Sequence, residues 1–257
     1  MNIEWTLLIL GLAIIGWTAP GFADGADAKG QEELVRARRV APLTAAGIDI
    51  ESLDAVIAAL DHEQLGVRVG AVYLLREKRA KSAIPALEKQ LTSKPSILQI
   101  EVVETLAALG DPLPRWKKVA HELLEDRSAP VALRSAEVLA RAKDPAGWSV
   151  VERGLKSAES ATVAAAARSA LAFEGLSTGT GDAKKEIPAF ESLTRSFQDA
   201  DEETQRTLLA AFAGTRSKKA IETLESWVPF ARGPINEAQL KNLIHSLSAA
   251  RAGRERG

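Results

Sequence analysis

The chain has 257 residues, of which 46% are hydrophobic and 26% charged, proportions typical of a globular protein that can bury a sizeable core. Lys and Arg number 33 and Asp and Glu 34, so the chain has no net positive charge that would attract it to nucleic acid or to an anionic membrane. Cysteine is absent, which excludes disulfides, thiolate metal sites, a cysteine nucleophile and lipid attachment to a cysteine.

Residues 1–23 differ from the rest of the chain. Trp5 to Trp17 is an uncharged apolar run, and Pro20 and Gly21 then interrupt any helix. Small residues occupy the positions that a signal peptidase would require for cleavage before Asp24. This order of features predicts a secretory signal peptide over residues 1–23 and an exported protein, periplasmic or extracellular.

A retained membrane anchor is the alternative interpretation of residues 5–23. The segment that precedes the apolar run contains Glu4 and no Lys or Arg, whereas basic residues such as Arg36 lie downstream. That charge asymmetry is the wrong one for a standard export signal. Against an anchor, a membrane-spanning helix needs about 20 apolar residues, and this run is shorter.

Residues 24–46 are predicted to be a flexible leader with a short capping helix. The stretch from 24 to 33 is polar, small and rich in glycine. Glu33 to Val40 can form a short helix that ends before Pro42. At the other end of the chain, residues 251–257 are expected to form a disordered tail.

Between these ends, a helical pattern recurs through residues 47–250. Six similar blocks, each predicted to lie on a helix, recur every 32 to 41 residues and end at Leu74, Leu106, Leu139, Leu171, Phe212 and Leu247. A recurrence of this length predicts helical hairpins, with a first helix (A) and a second helix (B) in each unit. The sequence therefore predicts an all-α fold, an α-solenoid of about six stacked hairpins. The one long step, from Leu171 to Phe212, is explained by a Gly/Ser/Thr-rich insertion that begins at Ser177.

Two B-helix segments resemble a known repeat family. Val103 to Asp111 (VETLAALGD) is similar to the second helix of HEAT-like repeats, of the short type also found in phycobilin lyases, and Ala136 to Asp144 (AEVLARAKD) is similar to it. The resemblance implies a stack of helical hairpins. It implies little about function, although an accessory factor related to phycobilin lyases is an alternative.

No constellation of residues in the sequence indicates catalysis. His62, His121 and His245 lie in different units at no metal-ligand spacing, and no motif exposes a serine nucleophile. The expectation is a protein that is not an enzyme and that needs no cofactor and no metal.

The outward positions of the B helices are the candidate binding surface. They mix charged, small and apolar residues, which favours a protein or peptide partner over nucleic acid. The candidates are Arg68, Val72, Arg76, Glu104, Glu137, Arg141, Phe173, Arg206 and His245. Phe173 is expected to be an exposed anchor beside Arg141. The alternative is that some of these positions are buried against neighbouring units.

The predicted function is a protein- or peptide-binding scaffold in the cell envelope, which touches a membrane only if the N-terminal segment is retained.

Overall fold

A computed structural model describes residues 25–111, 115–179, 184–212, 215 and 217–254. Thirteen α-helices and one short pair of strands lie within these residues, so the predicted all-α class is confirmed. The described chain divides into two compact units, residues 25–142 and residues 143–254.

Residues 25–142 form a stack of three hairpins preceded by one long helix. The helices are α1 (Gly25–Ala45), α2 (Leu53–Ala58), α3 (Leu65–Glu77), α4 (Ile84–Gln90), α5 (Ser96–Leu109), α6 (Arg115–Leu123) and α7 (Ala129–Arg141). The B helices α3, α5 and α7 pack side by side, α1 packs against α3, and each A helix (α2, α4 and α6) packs against its own B helix.

Residues 143–254 contain three further hairpins and a two-stranded ribbon. The elements are α8 (Trp148–Leu155), α9 (Ser160–Leu171), β1 (Ser177–Thr178), β2 (Lys185–Glu186), α10 (Ala189–Asp199), α11 (Glu202–Ala211), α12 (Lys218–Trp227) and α13 (Pro234–Arg254). Here α9 packs against α8 and α11, and α13 packs against α11 and α12.

Local chemistry sets where several helices begin and end. Ser52 and Asp201 each accept a hydrogen bond from a backbone N–H in the first turn of the helix that follows. Such capping satisfies donors that have no partner within the helix. Gly110 ends α5 with a φ of 74°, a left-handed conformation that glycine adopts without a steric penalty.

The recurring hydrophobic position lies in the core, as the repeat predicts. Leu74, Leu106, Leu139 and Phe212 are fully buried, and Leu247 is buried. Leu171 is the exception, being half-buried. The repeat register is therefore right for five of the six blocks and differs in the fourth.

The N-terminal leader prediction is wrong for the residues that the structure describes. Instead of a flexible segment and a short helix, α1 runs unbroken from Gly25 to Ala45 with Pro42 inside it. Val40 and Leu43 are buried. Packing against α3 therefore stabilises the helix beyond what the local sequence indicates. At the C-terminus, α13 likewise continues to Arg254, past the predicted start of a disordered tail.

The predicted insertion is present, but its base is ordered. Ser177 pairs with Glu186 and Thr178 with Lys185 in an antiparallel ribbon. The buried Ile187 donates its N–H to the carbonyl of Leu176 over 2.9 Å. The insertion therefore leaves the stack through a fixed pair of strands, and its tip, residues 180–183, lies outside the described residues.

No helix within the described residues is long and apolar enough to cross a membrane. The predicted signal peptide or anchor, residues 1–23, lies outside them.

Candidate partner-binding face

A network of charged side chains joins four helices of residues 25–142. We call it the arginine–glutamate cluster; it consists of Arg39 on α1, Arg76 on α3, Glu101 and Glu104 on α5, and Arg134 on α7. Glu101 and Glu104 lie three residues apart on one helix, so both carboxylates point to the same side of α5. The cluster is therefore assembled across the layer of B helices, with α1 as its border.

Glu101 is the buried centre of the cluster, with 3% of its side chain exposed. Its Oε1 lies 3.1 Å from Nη1 of Arg39 and 2.9 Å from Nη2 of Arg134. Its Oε2 is buried, has no hydrogen-bond donor among the described residues, and lies 3.9 Å from Nη2 of Arg76. Two guanidinium groups thus share one oxygen of this carboxylate, while the other oxygen stays unsatisfied.

Glu104 connects Arg134 to Arg76. Arg134 donates from Nε to Oε1 over 2.7 Å and from Nη2 to Oε2 over 2.6 Å, a bidentate arrangement. Arg76 donates from Nη1 to the same Oε2 over 2.9 Å. Both carboxylates therefore bind more than one arginine, and the five groups carry a net charge of +1.

The electrostatics of the cluster favour the charged forms of Glu101 and Arg134. Burial alone would raise the pKa of Glu101, but attraction to Arg134, Arg39 and Arg76 and the hydrogen bond from Arg39 lower it to about 2. Burial would lower the pKa of Arg134, but Glu101 and Glu104 raise it instead. The opposite charges thus outweigh the cost of desolvation.

A close helix approach brings Arg39 to this site. A Cβ atom added to Gly70 of α3 would lie 2.7 Å from the carbonyl oxygen of Arg39, so only glycine allows α1 to pack at this distance. The guanidinium of Arg39 then lies over the ring of Tyr73, 5.1 Å from its centroid, and that of Arg76 lies 5.8 Å from the same ring. Tyr73 is half-buried between the two arginines, and burial, with the charge of Glu77, raises its pKa.

The structure brings two of the predicted site residues into this cluster. Arg76 and Glu104 lie at its exposed side and contact each other directly. Glu137 and the exposed Arg141 form an ion pair one helix further along, on α7. Together with Tyr73 and the exposed Ala108, these residues define what we call the B-helix face: Tyr73, Arg76, Glu104, Ala108, Glu137 and Arg141 of α3, α5 and α7.

Two predicted surface residues are buried. Val72 is fully buried because α3 packs between α1 and α5, so that more of its circumference is covered than in an end helix. Phe173, predicted as an exposed anchor, is also 0% exposed. Helix α9 ends at Leu171, so Phe173 lies in the turn that follows, where its ring meets Trp148 edge-on with centroids 5.3 Å apart. The outward position expected from an unbroken helix does not exist there.

The other candidates are not members of the cluster. Arg68 is half-buried on α3, and its Nε has no hydrogen-bond partner among the described residues. Arg206 pairs with Glu202 on the exposed side of α11, and His245 is exposed on α13. The last two belong to residues 143–254 and form no part of the B-helix face.

Sequence reasoning missed Arg39, Tyr73, Glu101 and Arg134. A signal for two of them was present: Glu101 and Arg134 occupy equivalent places in successive units, five residues before Leu106 and Leu139. Equivalent positions of neighbouring repeats lie side by side, so opposite charges there predict an ion pair. No comparable signal marks Arg39, because its helix stands outside the repeat.

Comparison with known proteins gives matches to solved structures only. No protein-family model matches the chain, and no curated protein sequence is significantly similar to it. An engineered protein matches at 19% identity with a TM-score of 0.42, covering 77% of this chain and 96% of that one.

Two natural proteins match at similar levels. The complex of CpcE and CpcF of phycocyanin lyase from a Nostoc species matches at 17% identity and a TM-score of 0.43, covering 92% of this chain and 94% of that chain. Human deoxyhypusine hydroxylase matches at 16% identity and a TM-score of 0.36, covering 82% and 78%. At such TM-scores neither activity transfers to this chain.

These matches nevertheless correct one expectation. We expected from the helical repeat and the missing motifs that the chain is not an enzyme. That expectation is wrong as a conclusion from the fold, because a lyase and a hydroxylase are among the matched structures. A helical-repeat architecture therefore gives no ground for excluding catalysis.

Proposed function

We propose that this chain is a helical-repeat scaffold that binds a protein or peptide on the B-helix face. The observation that carries the proposal is the arginine–glutamate cluster. Burying Glu101, Arg39 and Arg134 almost completely is costly, and apolar side chains of similar size would stabilise a helix stack equally well or better. A charge network placed at a helix face is therefore better explained by recognition than by stability.

The residue types on the face support a protein partner. Arginine and tyrosine are the types that most often dominate the binding energy of protein interfaces, and Arg39 and Arg76 flank Tyr73 here. Their neighbours already restrain them, so binding would cost little side-chain entropy. Glu101 and Glu104 in the same network would repel the phosphates of a nucleic acid, so we propose no nucleic-acid partner.

Site-specific photocrosslinking tests this proposal in the native source of the protein. A photoreactive residue at Ala108, on the B-helix face, is expected to crosslink a partner, and one at the exposed Lys118 of the A helix α6 serves as the matched control. A protein captured from position 108 and not from position 118 supports the proposal. Equal capture from both positions, or none from position 108, would reject it.

We also propose that the scaffold works in the cell envelope after export. The support is the apolar run of residues 5–17 and the cleavage pattern before Asp24. Sequencing the N-terminus of the protein from its native source tests this. A mature chain that begins at Asp24 supports export and cleavage, whereas an intact N-terminus in a membrane fraction supports the anchored alternative.

A further inference from the structure

The geometry points to Arg76 as the residue that binds a carboxylate of the partner, so that the B-helix face receives an acidic peptide segment. This inference rests on the proposed function and specifies the chemistry of its ligand. It follows from the balance of charge in the cluster, from the free donors of Arg76 and from the open shape of the face.

The balance of charge singles out Arg76. Three guanidinium groups meet two carboxylates, so one positive charge remains. Arg39 and Arg134 are 12% and 11% exposed, and both lie within hydrogen-bonding distance of Glu101. Arg76 is 28% exposed and remains 3.9 Å from that carboxylate. The positive charge that is neither buried nor fully neutralised therefore belongs to Arg76.

Arg76 also retains unused hydrogen-bond donors. A guanidinium has five N–H groups, and only Nη1 of Arg76 donates to an acceptor among the described residues, namely Oε2 of Glu104. The Tyr73 ring on one side and Glu104 on the other restrain the group without occupying its remaining donors. A restrained guanidinium with free donors is suited to bidentate binding of an oxyanion.

The cluster favours a carboxylate over a phosphate. A carboxylate carries a single negative charge and would bring the net charge of the cluster from +1 to zero. A phosphate monoester carries about −1.5 to −2 at neutral pH and would overcompensate it. It would also lie next to Glu104, whose Oε2 is 2.9 Å from Nη1 of Arg76, and the two anions would repel each other.

The surroundings of Arg76 suit a peptide rather than a small molecule. Ligand pockets enclose most of a small molecule's surface. Arg76 instead lies on a face whose neighbours on the next two helices, Ala108 and Arg141, are exposed. A segment lying across α3, α5 and α7 can place one acidic residue at Arg76 while its flanking residues contact the helices. The carboxylate can come from an Asp or Glu side chain or from a chain terminus.

Selection from a random peptide library with the full chain tests the inference. We expect enrichment of peptides that contain Asp or Glu. For a selected peptide, Arg76→Gln should weaken binding at least about tenfold, since a charge-assisted bidentate pair is lost, and Arg76→Lys should weaken it less because the charge remains. Arg206→Gln in the second unit is the matched control and should leave the affinity unchanged within about twofold.

Changes in the peptide separate the sources of the carboxylate. If a side chain supplies the carboxylate, converting each acidic side chain to its amide should weaken binding at least about tenfold. If the chain terminus supplies it, amidation of the C-terminus should have that effect. These peptides are measured with the unaltered protein, so the inference remains testable if Arg76→Gln fails to fold. The carboxylate assignment would be overturned if neither change weakened binding. It would also be overturned if a phosphorylated form of the peptide bound more tightly than the unphosphorylated form.

The outcomes also distinguish this inference from the function on which it rests. If no peptide is enriched and position 108 captures no partner, the binding function itself fails. If peptides are enriched but are neutral or basic, or if Arg76→Gln binds them with unchanged affinity, binding stands and the role of Arg76 is rejected.

Discussion

Residues 25–142 place a partly buried charge network on their B helices, whereas residues 143–254 place aromatic rings in their core and ion pairs such as Arg206–Glu202 on their surface. In the second unit, the Trp227 ring stacks on Phe197 with centroids 4.2 Å apart and meets Phe212 edge-on at 5.0 Å. Both units repeat the same helical hairpin. The comparison shows that the repeat specifies which positions are buried. The repeat does not specify whether apolar packing or ion pairs join one hairpin to the next.

The largest effect should come from the aromatic core of the second unit. Phe173→Ala removes a fully buried ring that packs on Trp148, and we expect it to lower the free energy of unfolding by about 3–5 kcal/mol. Urea denaturation followed by circular dichroism measures the change. A loss below about 1 kcal/mol would mean that the ring is exposed and that the original prediction of a surface anchor should be restored.

Breaking the charge network should rank next. Glu101→Gln leaves Arg39 without its counter-charge in the cluster and Arg134 with Glu104 alone, and we expect a loss of roughly 3 kcal/mol in the free energy of unfolding. Arg141→Gln, at the exposed ion pair on α7, is the control and should change stability by less than about 0.5 kcal/mol. Equal effects of the two substitutions would show that the cluster is no more buried than an ordinary surface pair.

The pH dependence of stability should reveal the contribution of Glu101 to the first unit. The pKa of Glu101 is about 2 in the folded chain and 4.5 as the reference value. Between these values the unfolded chain binds a proton that the folded chain does not, so stability rises with pH and is lost as pH falls through 4.5 towards 2. Denaturation of the unaltered chain and of Glu101→Gln across this range should show a shallower slope for the variant. Identical slopes would place the acid sensitivity elsewhere.

A smaller effect is expected where α1 borders the cluster. Gly70→Ala places a Cβ atom 2.7 Å from the carbonyl oxygen of Arg39, so α1 must shift, at a cost of about 1–3 kcal/mol. Hydrogen exchange should show faster exchange in α1 of the variant. Gly66→Ala is the matched control, because its added Cβ would make an ordinary contact of 3.6 Å with Pro42. Unchanged exchange in Gly70→Ala would mean that α1 packs less closely than described.

The smallest effect is expected at the surface of the second unit. Arg206→Ala removes an exposed ion pair between residues four apart on α11, and it should change the free energy of unfolding by about 0.5 kcal/mol or less. Thermal unfolding at low and high salt measures this. A salt-dependent loss above about 1 kcal/mol would show that charge also stabilises the second unit.

The helical class, the hairpin repeat and most of the buried positions can be derived from the amino-acid sequence alone. The period of 32 to 41 residues can be read directly from the sequence. The burial of Leu74, Leu106 and Leu139 follows from it, because the apolar stripe of each helix must face the neighbouring helices. The B-helix face could be located roughly from the same register, and Arg76 and Glu104 were found in this way.

Which side chains meet on that face depends on how the helices pack in three dimensions. Arg39 contacts Glu101 across 62 residues of chain, and Arg134 contacts Glu104 across 30. Such pairs depend on how closely and at what rotation two helices pack, which at Gly70 is set by a single missing Cβ atom. Phe173 lies in the core for a related reason: where α9 ends, the helical register ends with it, and the direction of the next side chain depends on the space beside Trp148.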